Sequence, residues 1–323
     1  MPLTITNDKI DETNWLSDDG TSPRARGGSE MIRDVLKERL PADLMEQFKI
    51  IHSRVRDNMF EEGKKHLLLC HDTWDDPEAK HMSKKESLQR FEKLLFVSNY
   101  QMATFNMAHG VPYAHSAVLK NAIDPIPKHK KPADQINLIY HTTPHRGLDI
   151  LVAAFDKLCE THDNIHLDVF SSFEIYGWEE RDKPYQKLFE RCREHPSIDY
   201  HGTVENHVIR EKLQESHIFA YPCVWPETSC IAMMEAMSAG CSIVCPNFAA
   251  LPETTANFAL MYPWSEDNNH HAHTFYHTLD MAIRVHNEED LQTKLHFQKI
   301  YTDSFYNWDL RLGEWEGLLR SLA

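Results

Sequence analysis

Apolar residues in this chain gather in short runs separated by longer stretches of mixed character. Runs of strand length stand at residues 48–52, 65–70, 91–97, 116–119, 136–140, 166–170, 198–202, 217–222 and 241–245, with a further short one at Leu3-Thr4-Ile5-Thr6. Cys241-Ser242-Ile243-Val244-Cys245 is nearly all apolar, the pattern of a parallel strand covered on both faces. Between the runs the apolar positions change to helical spacing, from Met31 and Ile32 through Val35, Leu36 and Leu40, again at residues 148–158, and at residues 231–237, which Gly240 closes. Strand and helix alternate in both halves, which predicts an α/β protein of two doubly wound parallel sheets. Residues 125–132 hold three prolines and three lysines in eight positions and read as an exposed connector. It divides the chain into a first domain at residues 1–128 and a second at 129–305. In the remaining residues 306–323, Trp308, Leu312, Trp315 and Leu319 recur at three- and four-residue steps. They predict a final amphipathic helix that packs on the body, with the first domain within its reach.

One stretch breaks the apolar pattern. Residues 221–253 read YPCVWPETSCIAMMEAMSAGCSIVCPNFAALPE, with Glu227 and Glu235 eight positions apart. Glu227, Thr228 and Ser229 read as a helix start, because acidic and hydroxyl side chains satisfy the free amides there. Glu235 falls in the middle of an apolar helix, where a buried carboxylate needs donors. A pair of ribose hydroxyls would supply them; a solvated stripe or a neighbouring Lys or Arg is the alternative. Gly27 and Gly28 precede a helix, beside Arg24 and Arg26, and suit close approach of a phosphate to the helix N-terminus, or simply a turn. Arg146, just before the helix at 148–158, is either a guanidinium for phosphate oxygens or an ordinary surface charge. His71 and Asp72 fall at the carboxyl end of a strand, where ligands of open α/β sheets collect; a surface or capping histidine is the plainer reading.

Composition narrows the classes. A net charge of −15 removes any overall basic field for nucleic acid or anionic membrane and leaves open only a local patch. Seven cysteines, odd in number and without a C-x-x-C pair, read as free thiols of a reducing compartment. No secretory signal opens the chain, and no apolar run reaches the roughly 20 residues of a membrane span, so a soluble cytoplasmic protein is expected. His270, His271, His273 and His277 stand beside Asp267, Asn268 and Asn269, which reads as a polar loop rather than a metal site.

With these pieces in place, the chain resembles the group-one retaining glycosyltransferases of the GT-B fold, which take a sugar from a nucleotide-sugar donor. The resemblance is strongest at residues 136–253. PETSCIAMMEAMSAGCSIVCP is similar to that family's signature, with its two glutamates separated by seven residues. Weaker matches follow in family order at Ala25-Arg26-Gly27-Gly28-Ser29-Glu30, Phe96-Val97-Ser98-Asn99-Tyr100, Asn121-Ala122-Ile123-Asp124 and Arg146-Gly147-Leu148-Asp149. The resemblance implies two Rossmann-like domains facing a central cleft, the first mainly on the acceptor side and the second binding the donor. It implies Glu235 on the ribose hydroxyls and Glu227 on the transferred sugar. The amides of Ser229, Cys230 and Ile231, with Thr228 beside them, would hold the donor phosphates or sugar. Arg146 would meet the diphosphate, Gly27 and Gly28 would form the N-terminal glycine loop, and His71 would lie near the donor sugar.

Two positions depart from the family. Tyr140 stands where a second basic residue is common, leaving Arg24, Arg26 or the His141/His145 pair to compensate. Ala249-Ala250-Leu251-Pro252-Glu253 stands where Gly-Gly often precedes Pro-Glu. The expectation is transfer with retention, without metal or other cofactor, from a UDP-sugar or GDP-sugar. The acceptor is open among glycan, lipid, protein, small molecule and modified nucleic-acid base. The rival readings are an epimerase or phosphorylase on the same fold, and a non-catalytic nucleotide-sugar binding protein.

Overall fold

A computed structural model describes residues 19–21 and 27–323. The strand expected at residues 3–6, and Arg24 and Arg26, lie outside the described residues. Among the described residues the first sheet has four parallel strands, in the order β1 (Phe48–His52), β2 (Lys65–Cys70), β3 (Lys93–Phe96), β4 (Ser116–Val118). The second is six-stranded and parallel: β5 (Ile136–Tyr140), β6 (Ile165–Val169), β7 (Ile198–Tyr200), β8 (Ile218–Ala220), β9 (Ser242–Pro246) and β10 (Leu260–Tyr262), in the order β10-β9-β8-β5-β6-β7. Strand order therefore reverses at β5. The chains leaving β5 and β8 diverge there, which opens a crevice at their carboxyl ends.

Helices cover both sheets. Around the first lie α1 (Gly28–Arg39), α2 (Ala42–Gln47), α3 (Lys85–Leu88) and α4 (Asn99–His109). The second carries α5 (Leu148–Leu158), α6 (Gln186–Glu194), α7 (Asn206–Glu215), α8 (Ile231–Ser238), α9 (Leu251–Thr255), α10 (Asn268–Arg284) and α11 (Glu289–Phe305). Every residue of β5 and of β9 is buried, as expected for strands covered on both faces. In the first sheet the two-residue period of the strands divides the core. Leu67, Leu69 and Leu95 face one side, and Leu68, Leu94 and Phe96 the other.

The final helix, α12 (Trp308–Leu322), returns to the first domain. Trp308, Trp315 and Leu319 bury against Ile32, Leu36, Leu44 and Leu67, completing one of its two cores. The crossing is stitched by Ile123, whose N–H donates to the Tyr306 carbonyl at 2.7 Å, and by an apolar junction of Ile123, Met234 and Tyr306.

Two local expectations are corrected. The helix read from Glu227 begins at Ile231, because the Glu227 carboxylate is bonded to other side chains and caps nothing. The histidines read as a polar loop lie on α10. Asp267 starts this helix, its carboxylate accepting from the amides of Asn269 at 2.9 Å and His270 at 3.3 Å. His271 is buried there, 3.0 Å from the Tyr262 hydroxyl.

Candidate active site

Between the two sheets lies a cleft of about 1130 Å³ whose walls come from both domains. It brings together every candidate residue read from the sequence: Gly27, Gly28 and His71 from the first domain, and Arg146, Glu227, Thr228, Ser229, Cys230, Ile231 and Glu235 from the second.

The floor is the crevice at β5 and β8. After β5 the chain makes one 3-10 turn, Pro144–Arg146, and then Gly147 at φ +114°. A Cβ on Gly147 would sit 2.2 Å from the Pro222 carbonyl oxygen after β8, so only glycine lets the two strand ends meet here. This contact sets Arg146 opposite Glu227. Arg146 Nη1 and the Tyr221 hydroxyl both donate to Glu227 Oε1, and Glu227 is 5% exposed. Burial opposes the charge on Arg146, but the Glu227 carboxylate outweighs it and holds the guanidinium protonated. Arg146 Nε is buried without a hydrogen-bond partner among the described residues.

Glu235 rides on α8, also buried. Arg210 Nη1 at 2.8 Å and Asn206 Nδ2 at 3.2 Å both donate to its Oε1. Of the two plain alternatives for this carboxylate, the solvated stripe is excluded and an arginine partner is present. Both bonds use one oxygen. Burial still pushes the carboxyl above its ordinary range despite Arg210 and Asn206. The helix that carries Glu235 starts at Ile231 with no side-chain cap on its amides, and that end lines the cleft.

His71 is neither a surface nor a capping histidine. Its ring stacks on His52, with His71 Nε2 3.3 Å from His52 Nδ1, and burial depresses its pKa to about 3, so it is neutral near pH 7. Thr228 Oγ1 donates to the His71 carbonyl at 2.9 Å, joining the two walls. Gly27 meets the opposite wall closely; a Cβ there would lie 2.5 Å from the Tyr176 ring. Tyr140 is fully buried with its hydroxyl on the Thr143 carbonyl at 2.9 Å, so it does not replace a phosphate-binding cation. Of the two histidines weighed in its place, His141 lines the cleft, while His145 packs between Phe173 and Trp225.

Sequence reasoning weighed His141 but missed the other unpartnered polar groups of the cleft wall. His141 Nε2 and the hydroxyls of Thr142, Thr143, Ser171 and Thr203 are buried in its wall without hydrogen-bond partners among the described residues. Burial depresses His141 to about 3, so it is a neutral imidazole. All five follow the carboxyl ends of β5, β6 or β7, the position that marks ligand-facing residues in such sheets. Among the described residues one trio has metal-ligand spacing, His166, Asp168 and Asp199, with ligand atoms within 4.8 Å. It lies on β6 and β7 outside the cleft, where His201 and Lys212 already pair with Asp168.

Two parallel-sheet domains facing one cleft, with a crevice at the strand-order reversal, define the fold as GT-B. Residues 121–269 match the family described as glycosyl transferases group 1. A human component of phosphatidylinositol N-acetylglucosaminyltransferase is 25% identical over 142 residues. That match takes in 42% of this chain and 28% of the human protein's length. A glycosyltransferase from Rickettsia africae ESF-5 superposes with a TM-score of 0.68 at 13% identity, over 91% of this chain and 80% of that one. Anabaena Alr3699/HepE, solved in complex with UDP-glucose, gives 0.64 at 13% identity, over 80% of this chain and 72% of that one. No helix among the described residues is long and apolar enough to cross a membrane.

Proposed function

We propose that the protein is a retaining glycosyltransferase that moves a sugar from a nucleotide-diphosphate-sugar to a hydroxyl acceptor, with no divalent metal in the chemical step. One observation carries the reading: within a single cleft, an uncapped helix N-terminus and the unpartnered Arg146 Nε stand near two buried carboxylates. Donors for a diphosphate and acceptors for hydroxyls are thus both available, in a cavity on the scale of a small-molecule site. The donor is a UDP-sugar or a GDP-sugar; the UDP-glucose complex of the structurally similar Anabaena HepE supports the uridine form.

Charge builds on the leaving diphosphate as the glycosidic bond breaks. The amides of Ser229, Cys230 and Ile231 and the Arg146 guanidinium stabilise it, which is the main catalytic demand. Glu235 accepts from the ribose hydroxyls and Glu227 from a hydroxyl of the transferred sugar. The acceptor attacks from the face the diphosphate leaves, and a diphosphate oxygen takes its proton, so no protein base is required. His71, neutral, borders the sugar.

A thermal-shift screen against UDP, GDP, ADP and their sugar conjugates, each with and without EDTA, tests this. Stabilisation by a uridine or guanosine diphosphate is expected, unchanged by EDTA and lost in Glu235→Ala. Stabilisation by none of them would overturn the donor reading. Transfer abolished by EDTA and restored only by a divalent ion would overturn the metal-free step.

A further inference from the structure

The loop that departs from the family pattern, residues 249–253, ends in a carboxylate spent entirely on the other domain. Glu253, at the start of α9, accepts from Asn99 N at 2.9 Å and Asn99 Nδ2 at 2.8 Å on one oxygen, and from Tyr100 N at 2.9 Å on the other. The Lys120 ammonium also donates to it. All of these donors belong to the first domain. The N-terminus of α4 is therefore capped from two sides: Ser98 Oγ accepts from Gln101 N at 3.0 Å, and Glu253 takes the two amides before it. An anion at that end also faces the positive pole of the helix.

The same loop is fastened to the site. Ala249 adopts φ +52°, and the next amide, Ala250 N, donates to the Glu227 carbonyl at 3.1 Å. We infer that Glu253 is a positioning residue, an interdomain clamp that fixes α4 and the first-domain wall in register with Glu227 when the cleft is closed. The two edges of the interface differ in chemistry. At the hinge, Ile123, Met234 and Tyr306 pack as an apolar junction. At the clamp every contact is polar, the Asn99 bonds exposed and those of Tyr100 and Lys120 half-buried, so water can replace each bond as the domains part. Such an edge opens reversibly while the apolar one stays shut. Glu253 touches neither substrate position, so its effect on transfer is exerted through the wall it holds. The clamp stands apart from the donor reading; only its effect on turnover rests on that reading.

The test uses the full chain with spin labels at the exposed positions Lys85 and Glu289, one in each domain. Six of the seven native cysteines are buried, and the remaining one is removed by Cys159→Ser. Glu253→Gln keeps the shape and removes the charge. The expected result is an interdomain distance distribution broadened toward longer values. Amide exchange at Asn99 and Tyr100 should accelerate by about tenfold or more, with exchange in β5 and β9 unchanged. Where transfer is measurable, kcat should fall more than KM for the donor changes. Lys120→Met, which removes one donor and leaves three, should shift both readouts the same way by less. Unchanged distances and exchange in Glu253→Gln would overturn the clamp. Global unfolding of that variant with no change in Lys120→Met would overturn it as well. If no nucleotide binds the parent protein, the donor reading fails while the distance and exchange arms still decide the clamp.

Discussion

Glu227→Gln separates two roles that the structure ties together. Glu227 and Arg146 neutralise each other, so under the proposed function a diphosphate arriving at Arg146 meets a carboxylate at its shoulder. Two unit charges about 4 Å apart interact by roughly 4 kcal/mol at an effective dielectric of about 20. Arg146 is 21% exposed to the cleft at its side chain, and solvent there screens the interaction, so about 1 kcal/mol is a realistic remainder. Glutamine still accepts from Tyr221 and Arg146, which preserves packing while removing the repulsion. The variant is therefore expected to bind UDP about fivefold more tightly by titration calorimetry, since 1.4 kcal/mol is a factor of ten. Transfer should fall by roughly a hundredfold or more, because the carboxylate no longer serves the sugar as the bond breaks. The two effects run in opposite directions. UDP binding weakened tenfold in a variant with unchanged circular dichroism, or transfer left intact, would refute the opposed placement of these side chains.

Gly147→Ala should destabilise the second domain by about 3 kcal/mol, read as a lowered urea midpoint, because the new Cβ meets a backbone oxygen and φ is positive. Trp315→Ala removes a buried indole from the first-domain core; a loss of about 3–5 kcal/mol is expected, confined to exchange in β1–β4 and α1. Stability should also fall in mild acid. His52, buried, and His71, half-buried against it, are neutral, with pKa values depressed to about 4 and about 3, so the unfolded chain binds protons more readily than the folded one. Their stabilising contribution is whole above about pH 6.5 and is lost as pH drops from there toward 4 and 3. A urea midpoint that does not decline between pH 7 and pH 5 would contradict their burial.

The parts of the fold that were legible in the sequence share a physical cause. β1, β2 and β5 have the bounds read from their apolar runs because the residues that carry their core contacts, Ile50 and Ile51, Leu67 to Cys70 and Leu138 to Tyr140, are consecutive, apolar and buried. The spacing within α12 gave its buried face through the same burial of apolar side chains. β10 escaped because only three residues form it and just Tyr262 among them is buried. The two glutamates were legible as chemistry because a carboxylate in an apolar stretch needs a partner. The partners themselves were not. Arg210 lies 25 residues from Glu235 and Arg146 81 from Glu227, separations that only the closed sheet spans. The Glu253 contacts, 154 and 153 residues apart, show the same limit, since neither Asn99 nor Tyr100 differs from an ordinary helix start until the second domain is placed against it. His271 was misread because histidine carries no periodic signal, and Asp267 was taken for a loop residue rather than the cap it is.

The return of the chain through Tyr306 gives the junction between the domains an unusual mechanical character. The strand of chain leaving the first domain at Ile123 and the one re-entering it at Asn307 run side by side as a parallel β-bridge. A single linker is a thread, free to bend and swivel in any direction. Two bonded linkers make a ribbon, which folds about its flat axis and resists twisting. A tie between the two crossings opposes independent swivelling of either, a constraint that a single linker lacks.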